Sequence, residues 1–170
     1  MTTAGPAEGA PPPGLRLRLG EDRDAEAIAA LVNLIRDLGA PEAPGMTAEA
    51  VRRDLLALGG PFAVLVAEVE GETAGCAVHQ LAYECAWHAR GRLLLDLAVF
   101  PHLRRRGVGR ALLARLARLT REEGGAFLWW LNGPGLAEAR PLYRRVADVE
   151  HAVTSFAVTG EAFGRLAEEG

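Results

Sequence analysis

The sequence contains no lysine: all 19 of its basic residues are arginine. This absence excludes any mechanism that depends on a lysine Schiff base or a lysine nucleophile. Cysteine is also scarce, and the spacing of Cys76 and Cys85 fits neither a disulfide framework nor a zinc site. The four histidines show no ligand spacing, so we predict no metal.

Long apolar runs are missing as well. No segment approaches the roughly 20 apolar residues that cross a bilayer, so we expect no membrane partner. Residues 1–14 are rich in Ala, Pro and Gly and lack a basic region followed by an apolar stretch. They predict a flexible tail rather than a signal peptide, and a cytoplasmic location is the default expectation. The net charge of -3 argues against nucleic acid as a partner.

What the sequence does contain is one domain, at residues 15–170, with alternating strand and helix patterns. Branched or alternating apolar runs predict strands at 15–19, 62–69, 73–81, 92–99, 127–131 and 153–158. Apolar residues at helical spacing predict helices near 28–38, 47–58, 111–119 (ending at Gly124-Gly125), 136–146 and 161–168. Strands dominate the middle of the chain, which favours the α+β or mixed α/β class.

One segment carries most of the functional information. After the predicted strand at 92–99 and a turn with Pro101, the pattern Arg104-x-x-Gly107-x-Gly109 opens a helix. The first turn of a helix has unpaired N–H groups and a partial positive charge, so it attracts anions. Glycines let the backbone approach a diphosphate closely, and arginines add forked donors for phosphate oxygens. A solvated arginine run at a helix N-terminus is the alternative interpretation, because the segment is neither a P-loop nor a complete dinucleotide fingerprint.

The run from Leu94 to Pro101 followed by this pattern resembles the cofactor motif of the GNAT acetyltransferases, in which a hydrophobic strand, Val-x-Pro and Arg/Gln-x-x-Gly-x-Gly/Ala follow one another. The resemblance extends from about Leu15 to the C-terminus. It implies a mixed, mostly antiparallel sheet of about six to seven strands flanked by helices. Two parallel strands, here 93–99 and 127–131, are expected to splay apart and admit acetyl-CoA. The cofactor contacts implied are Leu97, Ala98, Val99, Arg104, Arg105, Arg106, Gly107, Val108, Gly109 and Arg110.

Within the superfamily, the sequence is most similar to the diamine (spermidine/spermine-type) branch. Tyr83 precedes Asp96 at the spacing of that branch, and the end of the chain, from Phe156 to Leu166, follows its pattern. The branch usually carries a Glu before this Asp, where the present sequence has Leu95. The resemblance implies a homodimer.

The same resemblance implies candidate catalytic residues. Ala139-Arg140-Pro141-Leu142-Tyr143 is similar to the Ala-x-x-Phe-Tyr pattern that places a tyrosine general acid, so we expect Tyr143 to protonate the leaving thiolate. Asp96 is the candidate that binds the amine or accepts its proton, with Glu84, His79 and His88 as alternatives. Tyr83, Glu84 and Trp87 are the expected acceptor-binding residues.

These observations lead to a predicted N-acetyltransferase that transfers an acetyl group from acetyl-CoA to a primary amine of a small molecule. The alternative is a module of the same fold that binds acyl-CoA without transferring the acyl group. Two departures from the family pattern motivate it, namely Leu136 where an Asn is usual and Ala147 where a Gly is usual.

Overall fold

The computed structural model describes residues 11–169, so residues 1–10 of the predicted tail and Gly170 lie outside the described residues. Its centre is one five-stranded sheet in the order β1-β2-β3-β4-β5. The strands are Arg16–Leu19 (β1), Phe62–Val69 (β2), Glu72–Glu84 (β3), Ala89–Val99 (β4) and Phe127–Trp130 (β5). Neighbours pair antiparallel from β1 to β4, whereas β5 runs parallel to β4.

The sheet is expected to bury both faces, because the apolar residues of β2 and β3 are almost continuous. One face packs against helix α1 (Ala25–Gly39) and contributes Val64, Val66, Cys76, Val78 and Ala98 to its core. The other face packs against helix α3 (Val108–Glu122) and contributes Leu65, Ala67, Ala77 and Leu94. We call these the α1 face and the α3 face.

The remaining helices are short. Thr47 caps helix α2 (Ala48–Ala50) as the sequence predicts, since its hydroxyl accepts a hydrogen bond from the Ala50 N–H, and the chain continues as a π-helical turn at Val51–Leu55. A 3-10 turn at Pro134–Ala139 leads into α4 (Arg140–Val146). Pro141 lies in the first turn of α4, where its missing N–H costs nothing. Helix α5 (Gly160–Glu168) closes the chain.

The expectation of six to seven strands is wrong: the sheet has five. The first five predicted strands are present, but residues 153–158 form neither a strand nor a helix. Their side chains pack little: Phe156 is 93% exposed and Val153 57%. Branched residues raise β propensity, yet a strand also needs a partner, and the described residues of this chain supply none for the segment.

A buried ion-pair network fixes β1 against the start of α1. Both guanidinium Nη atoms of Arg18 donate to the carboxylate of Asp24, at 2.6 and 2.9 Å, and the same carboxylate accepts from Thr73 on β3. Burial alone would raise the pKa of Asp24, but these hydrogen bonds and one from the Glu21 N–H lower it to about 2. The network therefore joins three elements far apart in the sequence.

None of the helices in residues 11–169 has the length and apolar character that a membrane span requires.

Candidate active site

The two strands that the family resemblance expects to splay, β4 and β5, are paired over only part of the length of β4. Their parallel pairing runs from Gly91–Phe127 to Leu94–Trp130 and stops there, while β4 continues to Val99. At this point β4 also carries a bulge, because Val78 pairs with Asp96 whereas His79 pairs with Leu94. Leu95 is the extra residue, and such bulges bend a strand and re-aim the residues that follow. Residues 95–99 of β4 therefore have no paired strand on the β5 side, and we call this unpaired edge the gap.

The peptide groups of Leu97 and Val99 face this gap. In an antiparallel pair, successive residues direct their N–H and C=O groups to opposite edges of the strand. The Phe100 N–H bonds to Ala74 on β3, and residues two apart share an edge, so Ala98 points to β3 while Leu97 and Val99 point away from it. The methyl group of Ala98 is buried in the core of the α1 face. Of the three predicted cofactor residues on β4, two thus line the gap with their backbone.

The N-terminus of α3 lies at the end of the gap. Gly107 is its N-cap and has a left-handed conformation (φ 75°), which glycine adopts without steric cost. No described side chain caps this end, so the first N–H groups of the helix are available to an acceptor. Arg105, Arg106 and Arg110 are exposed around the turn, whereas the side chain of Val108 is buried in the core.

Arg104 has a different role from the other arginines of the segment. Its Nε donates to the Val99 carbonyl at 3.1 Å, and its Nη1 donates to Glu138 at 3.2 Å. It therefore ties the end of β4 to the turn that precedes α4. The sequence did not predict this positioning function, because Glu138 lies 34 residues further along the chain.

Gly109 is needed for close packing as well. A Cβ atom at this position would lie 3.2 Å from Cδ2 of Leu142 on α4. Leu142 also lies near Leu97 and Val99, since their side-chain atoms surround the same point. Helix α4 consequently closes over the N-terminus of α3 and brings the next residue, Tyr143, to the gap.

The structure brings the two predicted catalytic residues together. Tyr143 is half-buried, with its ring centroid 5.3 Å from that of Trp130 on β5. Burial, and then the charge of Asp96, raises the pKa of Tyr143 to about 12. Burial also raises the pKa of the Asp96 carboxyl above its usual range. A protonated phenol and a poorly hydrated carboxylate thus lie within electrostatic range of each other beside the gap.

The tryptophans Trp129 and Trp130 face opposite sides of β5, as their adjacency predicts. Trp130 belongs to the α3 face with Tyr143. Trp129 pairs with Leu93 and contacts Trp87 and His151, with ring centroids at 5.6 and 6.2 Å. Trp87 also meets Phe127 edge to face at 5.4 Å. An aromatic cluster therefore covers the α1 side of the sheet next to the splay.

Tyr83 and Glu84 lie elsewhere. They pair with Arg90 and Ala89 at the tip of the β3–β4 hairpin, at the far end of β4 from Asp96. Their partners Arg90 and Ala89 lie six and seven residues from Asp96 along β4, or about 20 and 23 Å at 3.3 Å per residue. Tyr83 is 58% exposed and lines a cavity of about 470 Å³ between the hairpin and the C-terminal end of α3. These two candidates are not brought together with Tyr143 and Asp96.

Residues 60–146, which run from β2 to the end of α4, match the family model described as an acetyltransferase (GNAT) domain. The chain belongs to the GNAT acetyltransferase family. The match covers the splayed strands, the arginine–glycine turn and Tyr143. No curated protein matches the sequence.

Solved structures show the same GNAT fold at low sequence identity. An aminoglycoside acetyltransferase from an uncultured soil metagenomic sample, in complex with sisomicin, is 20% identical, with a TM-score of 0.69 over 86% of this chain and 96% of that chain. The ribosomal-protein-alanine N-acetyltransferase from Brucella melitensis biovar Abortus 2308 is 20% identical, with a TM-score of 0.70 over 86% and 99%. Aminoglycoside N-acetyltransferase AAC(6')-Iy in complex with CoA is 19% identical, with a TM-score of 0.68 over 84% and 93%. The diamine branch is not among these three.

The GNAT family uses acetyl-CoA, and the residues of this chain fit that group. The open N–H groups of the first turn of α3, the left-handed Gly107 and the surrounding arginines suit a diphosphate. The outward peptide groups of Leu97 and Val99 suit an amide-containing arm. Among residues 11–169, no group of three or more His, Cys, Asp or Glu side chains could hold a metal ion.

Two features of the site, the bulge in β4 and the contact of Leu142 with Gly109, are hard to predict from the sequence. The bulge at Leu95 is hidden in the run Leu93-Leu94-Leu95, where three consecutive apolar residues break the alternation of a half-buried strand. The contact of Leu142 with the space beside Gly109 has no local signal, because it depends on how α4 returns to the sheet.

Proposed function

We propose that the protein is an acetyl-CoA-dependent N-acetyltransferase that acylates a primary amine of a small molecule by direct attack. The observation that carries the proposal is the placement of Tyr143 and Asp96 beside the gap between β4 and β5, next to the uncapped N-terminus of α3. A non-catalytic binding module would need the anion site alone, and has no use for a paired acid and base.

The cofactor-binding residues divide by the part they hold. The N–H groups at the start of α3, with Arg105, Arg106 and Arg110 around the turn, bind the diphosphate through charge-assisted hydrogen bonds. Leu97 and Val99 hold the pantetheine arm with their peptide groups. Acetyl-CoA supplies an activated acetyl thioester when it is bound, and the N–H of Val99 is placed to stabilise negative charge on the carbonyl oxygen.

Tyr143 acts as the proton donor. A phenol whose pKa is raised to about 12 keeps its proton throughout the neutral range, so the hydroxyl donates a hydrogen bond or a proton to the leaving sulfur. Packing against Trp130 fixes the ring, and helix α4 fixes its distance from the gap. A fixed donor loses little entropy when the reaction occurs.

Asp96 receives the acceptor. A primary amine with a pKa near 10.4 costs about 4.6 kcal/mol to deprotonate at pH 7, and a carboxylate lowers this barrier by binding the ammonium and accepting its proton, directly or through water. Burial raises the pKa of Asp96 and so makes it a stronger base. Leu95, which replaces the Glu of the diamine branch, leaves one carboxylate here, and this favours a monocation or a small cation over a long polyamine.

The aromatic cluster of Trp87, Trp129 and His151 is the wall that an acceptor would meet on the α1 side of the gap. Indole faces attract cations, so Trp87 supports an amine substrate. Tyr83 and Glu84 take part in acceptor binding only if the acceptor, or a second copy of the chain, extends along β4.

We also propose that the chain acts as a cytoplasmic homodimer with one acyltransferase domain at residues 15–170. The exposed apolar side chains of the C-terminal region support the dimer, and they include Leu131, Val153, Phe156, Val158, Phe163 and Leu166. β5 is an edge strand of the described sheet, so its outer edge and residues 153–158 are both available for pairing.

The proposal is tested by thiol release from acetyl-CoA with a panel of amines, comparing wild type, Tyr143→Phe and Asp96→Asn. We expect Tyr143→Phe to lower kcat by about a hundredfold without weakening coenzyme A binding, because only the proton donor is lost. Asp96→Asn should lower kcat/KM by about tenfold to a hundredfold and remove the acidic limb of the pH profile.

Stability supplies a further check on Asp96. Because its folded pKa is raised, ionisation opposes folding, and the contribution of this group to stability is lost as the pH rises through that pKa. Asp96→Asn is therefore expected to raise Tm at pH 7 while activity falls. If coenzyme A binds but none of the amines releases the thiol, the sensor function is favoured. If Tyr143→Phe turns over as fast as the wild type, Tyr143 is not the proton donor.

A further inference from the structure

A second cavity lies on the α3 face of the sheet, away from the gap between β4 and β5. Its volume is about 280 Å³, and it lies between β1–β4 and the C-terminal half of α3. The polar residues that line it are Arg18, His79, Arg92, Arg115 and Glu123. Arg115 is eight positions beyond Gly107, which is about 12 Å along a helix.

His79 and Arg92 form the floor of this cavity. The side chain of Arg92 is 8% exposed and His79 is 1% exposed. Arg92 has no acceptor atom, so its Nη1 donates to Nδ1 of His79 at 3.0 Å, and Nη2 donates to Glu123 at 2.6 Å. Nδ1 of His79 must therefore be unprotonated, and the ring proton is on Nε2. Burial, and then the charge of Arg92, lowers the pKa of His79 to about 4, which agrees with a neutral ring.

Two buried donors remain without a partner. His79 Nε2 and Arg92 Nε are both inaccessible and have no hydrogen-bond partner among the described residues. An unpaired buried donor costs about 1–3 kcal/mol, and more where the group is charged. Both are N–H groups, so the ligand that satisfies them must present acceptor atoms.

The charges around the cavity define the ligand further. Three arginines and one glutamate line it, but Arg18 is already paired with Asp24 and Glu68, and Arg92 with Glu123. Arg115 meets Glu122 only at 3.7 Å and is one-third exposed at the rim. Arg115 is therefore the most loosely paired arginine of the lining, and a single guanidinium suits a monoanion better than a dianion.

We propose that this cavity binds a small monocarboxylate, whose charge is met by Arg115 and whose oxygens accept hydrogen bonds from His79 and Arg92 after these two side chains turn towards the cavity. The apolar side chains of Leu65 and Leu119 line the same space and suit a short alkyl group. The site is separate from the gap where acetyl-CoA is proposed to bind, so the two ligands do not compete for the same space.

The test is calorimetric titration of the full chain with sodium propionate, chloride and phosphate at constant ionic strength, with and without coenzyme A. We expect one propionate site, no matching signal with chloride and weaker binding of phosphate. Arg115→Gln should weaken propionate binding about fivefold, whereas Arg118→Gln, which changes the same charge at an exposed position outside the lining, should leave it unchanged.

A second variant strengthens the site instead of weakening it. Glu123→Gln removes the only acidic side chain of the lining and should tighten propionate binding about fivefold, and Glu161→Gln on α5 is its matched control. Absence of propionate binding, an equal response to chloride, a preference for phosphate, or equal effects of Arg115→Gln and Arg118→Gln would each overturn the proposal. Competition between propionate and coenzyme A would place the propionate at the gap and overturn it too.

Discussion

The first 130 residues and the last 40 contribute to the candidate site in different ways. Up to β5, the chain builds a sheet covered on both faces, and the ion pair of Asp24 with Arg18 is largely buried between β1 and α1. After β5, residues 131–169 contain short helices, exposed apolar side chains and ion pairs at the surface, such as Arg144–Glu150.

The difference separates binding from chemistry. The peptide groups of β4 and the N-terminus of α3 belong to the first region, so the proposed cofactor site rests on a rigid core. Tyr143 belongs to the second region and is held mainly through Leu142, Trp130 and the Arg104–Glu138 pair. Cofactor affinity should therefore tolerate changes in the C-terminal region that turnover does not.

The largest expected effect is on the core side of the site. Gly109→Glu places a carboxylate beside the proposed diphosphate and crowds Leu142, so coenzyme A affinity should fall by about a hundredfold or more, measured by calorimetry. Gly109→Gln separates crowding from charge, and Gly164→Glu, at a helical glycine with open space around it, is the matched control. Unchanged affinity of Gly109→Glu for coenzyme A would show that the diphosphate does not bind at this turn.

The ion pairs of Asp24 and Glu150 allow the stability of the two regions to be compared. Asp24→Asn leaves Arg18 partly unpaired in a buried place and should reduce the free energy of unfolding by about 3 kcal/mol in urea at pH 7. The folded pKa of Asp24 is about 2, below its usual 3.8, so this stability is present above pH 4 and is lost as the pH falls towards 2. Glu150→Gln, in the exposed pair with Arg140 and Arg144, should change stability little. An equal loss of unfolding free energy in Asp24→Asn and Glu150→Gln would show that the ion pairs of the two regions stabilise the fold equally.

The smallest expected effect is on assembly. Phe156→Ser removes the most exposed of the aromatic side chains in the C-terminal region and should weaken the proposed dimer by about tenfold, measured by sedimentation over a range of concentrations. Thr154→Ser, in the same segment but with little apolar area to lose, is the control. A wild-type chain that stays monomeric at all concentrations would mean that residues 153–158 do not pair with a second copy.

The sequence predicted what depends on local patterns. Alternating and branched runs located all five strands, and Gly107 with the arginines located the start of α3. The start of α2 was predicted from Thr47, because an N-cap side chain bonds to the backbone within one turn of it. These signals succeed since the physical cause lies within a few residues of its effect.

The parts that the sequence did not predict depend on distant partners. Residues 153–158 have the composition of a strand, but pairing decides whether one forms. Tyr83 was grouped with Asp96 from their spacing, yet β3 and β4 form a hairpin that places Tyr83 opposite Arg90. The contacts of Arg104 with Val99 and Glu138 were not predicted, because they depend on where the turn before α4 lies.

The extra residue in β4 has a consequence for changes in chain length. Strand side chains alternate with period two, so an extra residue would reverse the faces of all the residues after it, but the bulge at Leu95 absorbs that residue and keeps Asp96 opposite Val78. Removing that one residue would restore continuous pairing with β3 and leave Asp96 opposite Val78, because Leu94 and Asp96 would then be consecutive and would still point to opposite faces. Natural or engineered relatives that have lost this single codon should therefore keep the fold and the faces of residues 96–99, and should lose only the bend that the bulge gives to β4.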